Sequence, residues 1–237
     1  MLGWLKTHSL VWLLALAALL TFDWLTINKK RLNAKWYASL ALAVLHVAVG
    51  VLLVKLFAFM EAGFDAEKAG NMSLFGAVFF LPAAYFAGAK LSKRSIADVF
   101  DVFAVAMILT LMLARVNCLI GGCCLGLEIG AGPARWPTRE AELVFYAVFL
   151  LAVAPRVKKG RSPGRAYPLF LVCYGVFRAV VECFRESEHT WGILHISHIW
   201  AILSVIIGAA ALLILRKRFH VSNRSGKTGH FSKGGTK

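Results

Sequence analysis

Long apolar runs recur along the chain, and they constrain its fold more than any other feature of the sequence. They cover residues 10–27, 37–60, 74–89, 99–113, 143–154, 167–184 and 196–215. About 20 apolar residues in a helix cross the hydrocarbon core of a bilayer, and a helix satisfies its own backbone hydrogen bonds there. We therefore expect an all-α integral membrane protein with about seven transmembrane helices.

The composition agrees with this expectation. Hydrophobic residues make up 59% of the chain and charged residues 16%, whereas a soluble domain carries about 25% charged residues. The net charge of +15 could indicate nucleic acid, but the cations form short clusters between the apolar runs and in the tail. That arrangement is typical of loops on an anionic membrane surface. We expect a membrane partner and no nucleic acid.

The loops between the apolar runs alternate in charge, which predicts the orientation of the chain. Basic clusters follow the first, third, fifth and last runs at residues 29–35, 90–94, 156–165 and 216–218, and acidic residues follow the second and sixth. The positive-inside rule places the basic loops in the cytoplasm. The N-terminus is then outside and the C-terminus cytoplasmic. Residues 1–221 form one polytopic membrane domain, and residues 222–237 are expected to be a basic, disordered cytoplasmic tail.

The sixth apolar run contains charged residues that are costly in lipid. Its polar side chains fall within an arc of about 80° on one helix face. They are Tyr174, Arg178, Glu182 and Arg185. One interpretation is a structural ion pair between Arg178 and Glu182, which are spaced i, i+4. The other is an anion site in which Arg178 is the fixed cation.

The fourth run ends in a polar segment rich in glycine. Arg115 and Asn117 supply hydrogen-bond donors, and Gly122 and Gly126 allow close approach of a backbone or a ligand. The alternative is an ordinary loop with an arginine at the level of the lipid headgroups. In the predicted topology this segment, the Arg178 helix face and Glu142 all reach the outer half of the membrane. Charges from three helices would therefore converge there.

The five cysteines do not form a disulfide framework, since their number is odd and two are adjacent. Cys118, Cys123 and Cys124 lie close in sequence, but no Cys or His pair with the spacing of a zinc finger completes a metal site. A redox pair of the adjacent Cys123 and Cys124 would be strained. We expect neither a metal nor a cofactor, and a thiol-redox protein remains an alternative.

These motifs together resemble the prolipoprotein diacylglyceryl transferase family over residues 72–218. The segment from Arg115 through Ile120 and Gly122 to Gly126 is similar to the family's signature segment. The more specific match runs from Leu169 to Arg185. Further matches are Met72-Ser73 with Gly76, Pro137-Thr138 with Glu142, and Ile196-Ser197 with Ile202-Leu203-Ser204.

The resemblance implies an enzyme of the bacterial plasma membrane. Such an enzyme transfers the diacylglyceryl group of phosphatidylglycerol to the lipobox cysteine thiol of a preprolipoprotein signal peptide, and glycerol phosphate leaves. Arg115 and Arg178 would hold the lipid phosphate, with Glu182 orienting Arg178. These three are the expected catalytic residues. The expected substrate-binding residues are Tyr174, Arg185, Asn117, Gly122, Gly126 and Glu142.

The sequence departs from the family's pattern at specific positions. Phe75 stands where the family has a histidine, Cys118 where it has an asparagine and Cys123 where it has a glutamate. The alternative function is a non-catalytic membrane protein that binds or transports an anionic lipid.

Overall fold

The computed structural model describes residues 8–65, 72–130, 134–161, 163–185, 190–191 and 194–228. Of residues 190–191, 194–195 and 218–228 it describes the backbone alone. The helices are α1 (Ser9–Ile27), α2 (Lys29–Leu32), α3 (Trp36–Glu61), α4 (Phe75–Leu91), α5 (Ile96–Gly121), α6 (Thr138–Lys158), α7 (Ala166–Glu182) and α8 (Ile196–Thr228). Two short antiparallel strands, β1 (Thr190–Trp191) and β2 (Leu194–His195), precede α8. A helix is present at every apolar run that the sequence predicts.

The chain is an all-α membrane protein with several apolar helices. In the described residues, four helices are long and apolar enough to cross a bilayer, namely α1, α3, α5 and the Ile196–Lys217 part of α8. Helix α4 is equally apolar in character but shorter. Helices α6 and α7 carry more polar side chains. Glu142 of α6 and Arg178 and Glu182 of α7 are buried inside the protein.

Helix α5 is the central helix of the fold. It is the most buried of the four long apolar helices, and it packs against α1, α4, α6 and α7. Helices α7 and α8 approach each other closely at Gly175, where a Cβ atom would lie 2.5 Å from the backbone oxygen of Ala201. Small residues permit such close packing of helices in lipid.

A charged network near the start of α5 binds the first residues of α7 and so positions the start of α7 along the bundle. The carboxylate of Asp101 accepts hydrogen bonds from the backbone N–H groups of Gly164, at 2.8 Å, and Ala166, at 3.0 Å. It also lies 3.7 Å from Arg31, which contacts Asp98 as well. A carboxylate at a helix N-terminus stabilises that helix. Asp101 therefore pairs with a cation of the segment between α1 and α3.

The same network determines which residues face each other further along the bundle. Arg115 lies 14 residues after Asp101, or about 21 Å along α5, and Arg178 lies 12 residues after Ala166, or about 18 Å along α7. Since Ala166 is bound to Asp101, Arg115 and Arg178 lie at nearly the same distance along the bundle from this contact. The register of α7 against α5 thus brings distant charges together.

The last helix is longer than the expected span. The backbone of α8 is helical as far as Thr228, so it continues past residue 221, where the disordered tail was expected to begin. The expectation that residues 222–237 form a basic, disordered cytoplasmic tail stays a prediction. Residues 229–237 of the expected tail lie outside the described residues.

Candidate functional site

Glu142 lies between the guanidinium groups of two arginines from neighbouring helices. Its Oε1 accepts a hydrogen bond of 2.6 Å from Nη1 of Arg178 on α7. Its Oε2 contacts Nε of Arg115 on α5. Glu142 itself stands in the second turn of α6, so one carboxylate connects three helices.

Arg178 has a second carboxylate partner on its own helix. Its Nη2 lies 2.7 Å from Oε2 of Glu182, one turn further along α7. The i, i+4 pair that the sequence predicts is therefore present. Both terminal nitrogens of the Arg178 guanidinium group are engaged by carboxylates, which fixes the plane of the group.

The four charged side chains are almost completely removed from solvent. Arg115 is 4% exposed, Glu142 1%, Arg178 3% and Glu182 1%. Burial of an unpaired charge is expensive, and removal of one member of a buried pair is strongly destabilising. Two cations and two anions balance each other here, so the cluster is electrically neutral as it stands.

Aromatic rings surround this Arg–Glu cluster. Tyr174 stacks with Tyr146 at a centroid distance of 6.2 Å and contacts Phe75 at 5.8 Å. The guanidinium carbon of Arg178 lies 5.9 Å from the centre of the Phe75 ring, within the range of a cation–π contact. These rings separate the charges from the rest of the core.

Some buried polar atoms at the site have no hydrogen-bond partner among the described residues. They are the hydroxyl groups of Tyr146 and Tyr174 and Nε of Arg178. Most buried polar atoms in proteins are hydrogen-bonded. Each of these three atoms can donate a hydrogen bond, so the site can donate to an anionic ligand without giving up these existing contacts.

The profile of the prolipoprotein diacylglyceryl transferase family matches residues 4–214. The chain belongs to this family. The resemblance inferred from residues 72–218 is therefore confirmed, and the match extends over the helices that precede them.

Relatives in this family are distant in sequence. A phosphatidylglycerol–prolipoprotein diacylglyceryl transferase of Dehalococcoides mccartyi is 23% identical over 208 residues, which cover 77% of this chain and 78% of the relative. The enzyme of the same name from Idiomarina loihiensis is 30% identical over 163 residues, covering 63% and 61%. That of Pasteurella multocida is 29% identical over 161 residues, covering 61% and 60%.

The position aligned with the histidine of the diacylglyceryl transferase family lies at the Arg–Glu cluster. That position holds Phe75, whose ring contacts Arg178 and Tyr174. A phenyl ring neither donates nor accepts a proton. An aromatic ring, and no ionisable side chain, therefore stands beside Arg178 and Tyr174 at this position.

Most of the residues singled out on the sixth apolar run meet at the cluster, but Arg185 does not join its ion pairs. Tyr174, Arg178 and Glu182 are buried together, whereas Arg185 follows the end of α7 and is half-buried. Its backbone pairs with Gly126 in an isolated β-bridge. A Cβ atom on Gly126 would lie 2.2 Å from the backbone oxygen of Trp136. The close approach expected of this glycine is therefore to the backbone of the chain itself.

Asn117 and Gly122 lie apart from the Arg–Glu cluster. Oδ1 of Asn117 accepts a hydrogen bond of 2.9 Å from Oγ of Ser9 on α1, and Asn117 lines an apolar cavity of about 80 Å³ between α1, α3, α4 and α5. Gly122 has a φ of 73° and ends α5. Neither residue contacts the charges, so any role for them in substrate binding would involve another part of the substrate.

Tyr146 is a site residue that the sequence analysis did not identify. It is completely buried and lies one turn after Glu142 on the same face of α6. The i, i+4 spacing from a buried carboxylate is the signal that could have found it.

Proposed function

We propose that the protein transfers the diacylglyceryl group of phosphatidylglycerol to a cysteine thiol of a prolipoprotein, or acts as a divergent transferase on another anionic phospholipid. The observation that carries this proposal is the buried pair of guanidinium groups, Arg115 and Arg178, in a chain of this family. The names of its relatives describe the same reaction. In this proposal Arg115, Arg178 and Glu182 are the catalytic residues.

The reaction needs stabilisation of a phosphate leaving group. A sulfur–carbon bond forms between the thiol and the glycerol carbon, the carbon–oxygen bond to phosphate breaks, and glycerol phosphate leaves with the electron pair. The thiol proton must pass to a base. Negative charge grows on the phosphate as the bond breaks, and fixed guanidinium groups in a site that excludes water stabilise that charge most effectively.

Glu142 occupies the position between the arginines that the phosphate would need. A phosphodiester carries one negative charge, as does the carboxylate. We infer that the lipid phosphate exchanges with Glu142, while Glu182 continues to hold Nη2 of Arg178. Tyr174 and Tyr146 would then donate hydrogen bonds to the phosphate, and Arg185, at the end of α7, would meet the headgroup from outside the cluster.

The proposal includes the orientation of the chain in the bacterial plasma membrane. Seven helices would cross it, with the N-terminus outside and the C-terminus in the cytoplasm. The basic clusters that follow α1, α4 and α6 support this orientation. The cluster would lie in the outer half, where a secreted prolipoprotein presents its signal peptide.

Reconstitution of the purified protein tests the proposal. Vesicles containing phosphatidylglycerol and vesicles of phosphatidylcholine alone would each receive a peptide with a lipobox cysteine, and a control peptide would carry serine there. We expect a mass increase equal to one diacylglyceryl group on the cysteine peptide with phosphatidylglycerol only. Complementation of a transferase-depleted bacterium, read by the mass of its lipoproteins, extends the test to cells. No adduct in either system would refute transfer from phosphatidylglycerol, and the same assay with vesicles of another anionic phospholipid tests the divergent transferase.

A second function is favoured by Phe75. Because a phenyl ring cannot accept the thiol proton, the site could bind an anionic phospholipid without transferring its diacylglyceryl group. Saturable binding of phosphatidylglycerol that needs both arginines, combined with no peptide adduct, would identify this function instead.

A further inference from the structure

Three cysteine side chains meet just beyond the Arg–Glu cluster, where α5 ends. The Sγ atoms of Cys118, Cys123 and Cys124 all lie within 4.8 Å of one another. None of the three forms a disulfide bond. Cys118 is in the last turn of α5, and the other two follow the helix.

The backbone at the end of α5 produces this grouping. Gly122 has a φ of 73° and Cys124 a φ of 58°, both in the left-handed region. The N–H groups of Gly122 and Cys123 both donate to the backbone oxygen of Cys118, at 3.0 and 3.2 Å. This is the usual way for a chain to reverse at a helix C-terminus, and it brings the later cysteines back over the last turn.

We propose that Cys118, Cys123 and Cys124 bind one Cu(I) ion through three thiolates. Soft thiolate ligands select Cu(I), zinc and similar metals. Three sulfur atoms at about 2.3 Å from a metal in a trigonal plane are about 4 Å apart, so the observed separations need a movement below about 1 Å. Metal binding would displace the proton of each thiol that is still protonated.

The number of ligands favours Cu(I) over zinc. A structural zinc site has four protein ligands. In the described part of the chain, the group of possible metal ligands at this position consists of the three cysteines. Three thiolates can complete the coordination of a monovalent copper ion. Cu(I) also adds one positive charge where Zn(II) would add two, in a region that is already rich in arginine.

Positive charge lies next to the sulfur atoms. Arg185 and Arg115 both act electrostatically on the thiol group of Cys124, and Arg115 also acts on that of Cys118. Nearby cations stabilise a negatively charged thiolate complex.

Arg139 holds the two backbone segments that carry the ligands. Its Nη1 donates to the backbone oxygens of Cys118, at 3.5 Å, and Cys123, at 3.4 Å. The guanidinium group therefore adds positive charge next to the sulfur atoms and connects α6 with the end of α5. Arg139 and Arg185 would together offset the two negative charges of a Cu(I) complex with three thiolates.

Copper titration of the purified, reduced full-length protein in detergent tests this proposal. Cu(I) would be supplied as its complex with a chromophoric chelator, and the spectrum of the chelator would report transfer. We expect one Cu(I) per chain, and X-ray absorption should show sulfur neighbours only. Cys118→Ser, Cys123→Ser and Cys124→Ser should each weaken binding at least 10-fold.

Cys173→Ser and Cys183→Ser are the matched controls, since both are free cysteines outside the group, and they should bind copper as the parent does. Size-exclusion profiles and melting curves would confirm that each variant is folded. The proposal is overturned by retention of full binding in all three site variants, by equal loss in the controls, by a preference for Zn(II), or by oxidation to a disulfide without copper uptake.

Discussion

Oε1 of Glu142 on α6 lies 2.6 Å from Nη1 of Arg178 on α7, and the two side chains are 1% and 3% exposed. This ion pair connects two helices inside the protein. Its second carboxylate oxygen contacts Arg115 on α5. A single glutamate therefore holds together the two cations that the proposed chemistry requires, and its replacement by a lipid phosphate is the central step to test.

Replacement of Arg178 or Arg115 by lysine tests the phosphate site. Lysine keeps the charge but loses the planar group that makes two parallel hydrogen bonds. We expect transfer of diacylglyceryl from phosphatidylglycerol to fall about 10- to 100-fold in each variant, as for loss of a charge-assisted hydrogen bond. Arg135→Lys is the control, because Arg135 pairs with the exposed Glu128. Parental binding and turnover in both site variants would show that these arginines serve only to pack helices.

Glu142→Gln should couple protein stability to anionic lipid. Without the carboxylate, two buried guanidinium groups share one counter-charge, and loss of a buried partner costs about 3–5 kcal/mol. A phosphate would restore the balance, so phosphatidylglycerol should raise the melting temperature of the variant more than that of the parent. Phosphatidylcholine and the surface variant Glu128→Gln serve as controls. Equal shifts for parent and variant would contradict the exchange of Glu142 with phosphate.

Phe75→His tests the consequence of the aromatic residue at the family's histidine position. An imidazole beside Arg178 and Tyr174 can accept a proton when it is neutral, so transfer to the lipobox peptide should become faster as the pH rises through the imidazole range near about 6.5. Phe79→His, one turn further along α4, is the matched control. A pH profile identical to that of the parent would mean that no proton transfer at this position limits the reaction.

Reporter fusions test the orientation in the membrane. A fusion after Lys237 should report a cytoplasmic location, and a fusion in the loop between α5 and α6 should report an external one. The physical reason is the basic character of the loops after α1, α4 and α6. The opposite pattern at both positions would reverse the topology and place the Arg–Glu cluster in the inner half.

Alkylation of Cys124 tests the thiolate environment. Because its pKa is lowered to about 4, its thiolate population is nearly complete at pH 5 and above. Its rate with iodoacetamide should therefore change little between pH 5 and 7, whereas an ordinary thiol reacts about tenfold faster for each pH unit. Peptide-level mass spectrometry would compare it with Cys183. Cys118→Ala removes the hydrogen bond that is the largest cause of the shift and should restore the ordinary pH dependence.

The helices of this protein are determined locally, and the sequence alone predicted them. Apolar runs must become helices in lipid because each backbone group needs a partner in its own segment. The pairing of Arg178 with Glu182 was predictable for the same reason, since i, i+4 neighbours on a helix meet whatever surrounds them. The residue at which the last helix ends was not predictable in this way, because Lys and Arg side chains occur in helices and in coil alike.

Only the tertiary structure decided which charges meet. Glu142 is 36 residues from Arg178 in the chain, and their contact depends on how α6 and α7 pack beside α5. Asp101 contributes by binding the start of α7 to α5. Asn117 follows Arg115 by only two residues, yet it faces Ser9, since a helix turns by about 200° over that interval. The cysteine spacing is not that of a zinc finger, and left-handed residues at the end of α5 bring the three thiols together. Hydrophobicity acts on each segment separately, whereas a buried charge is stable only beside the partners that the folded chain supplies.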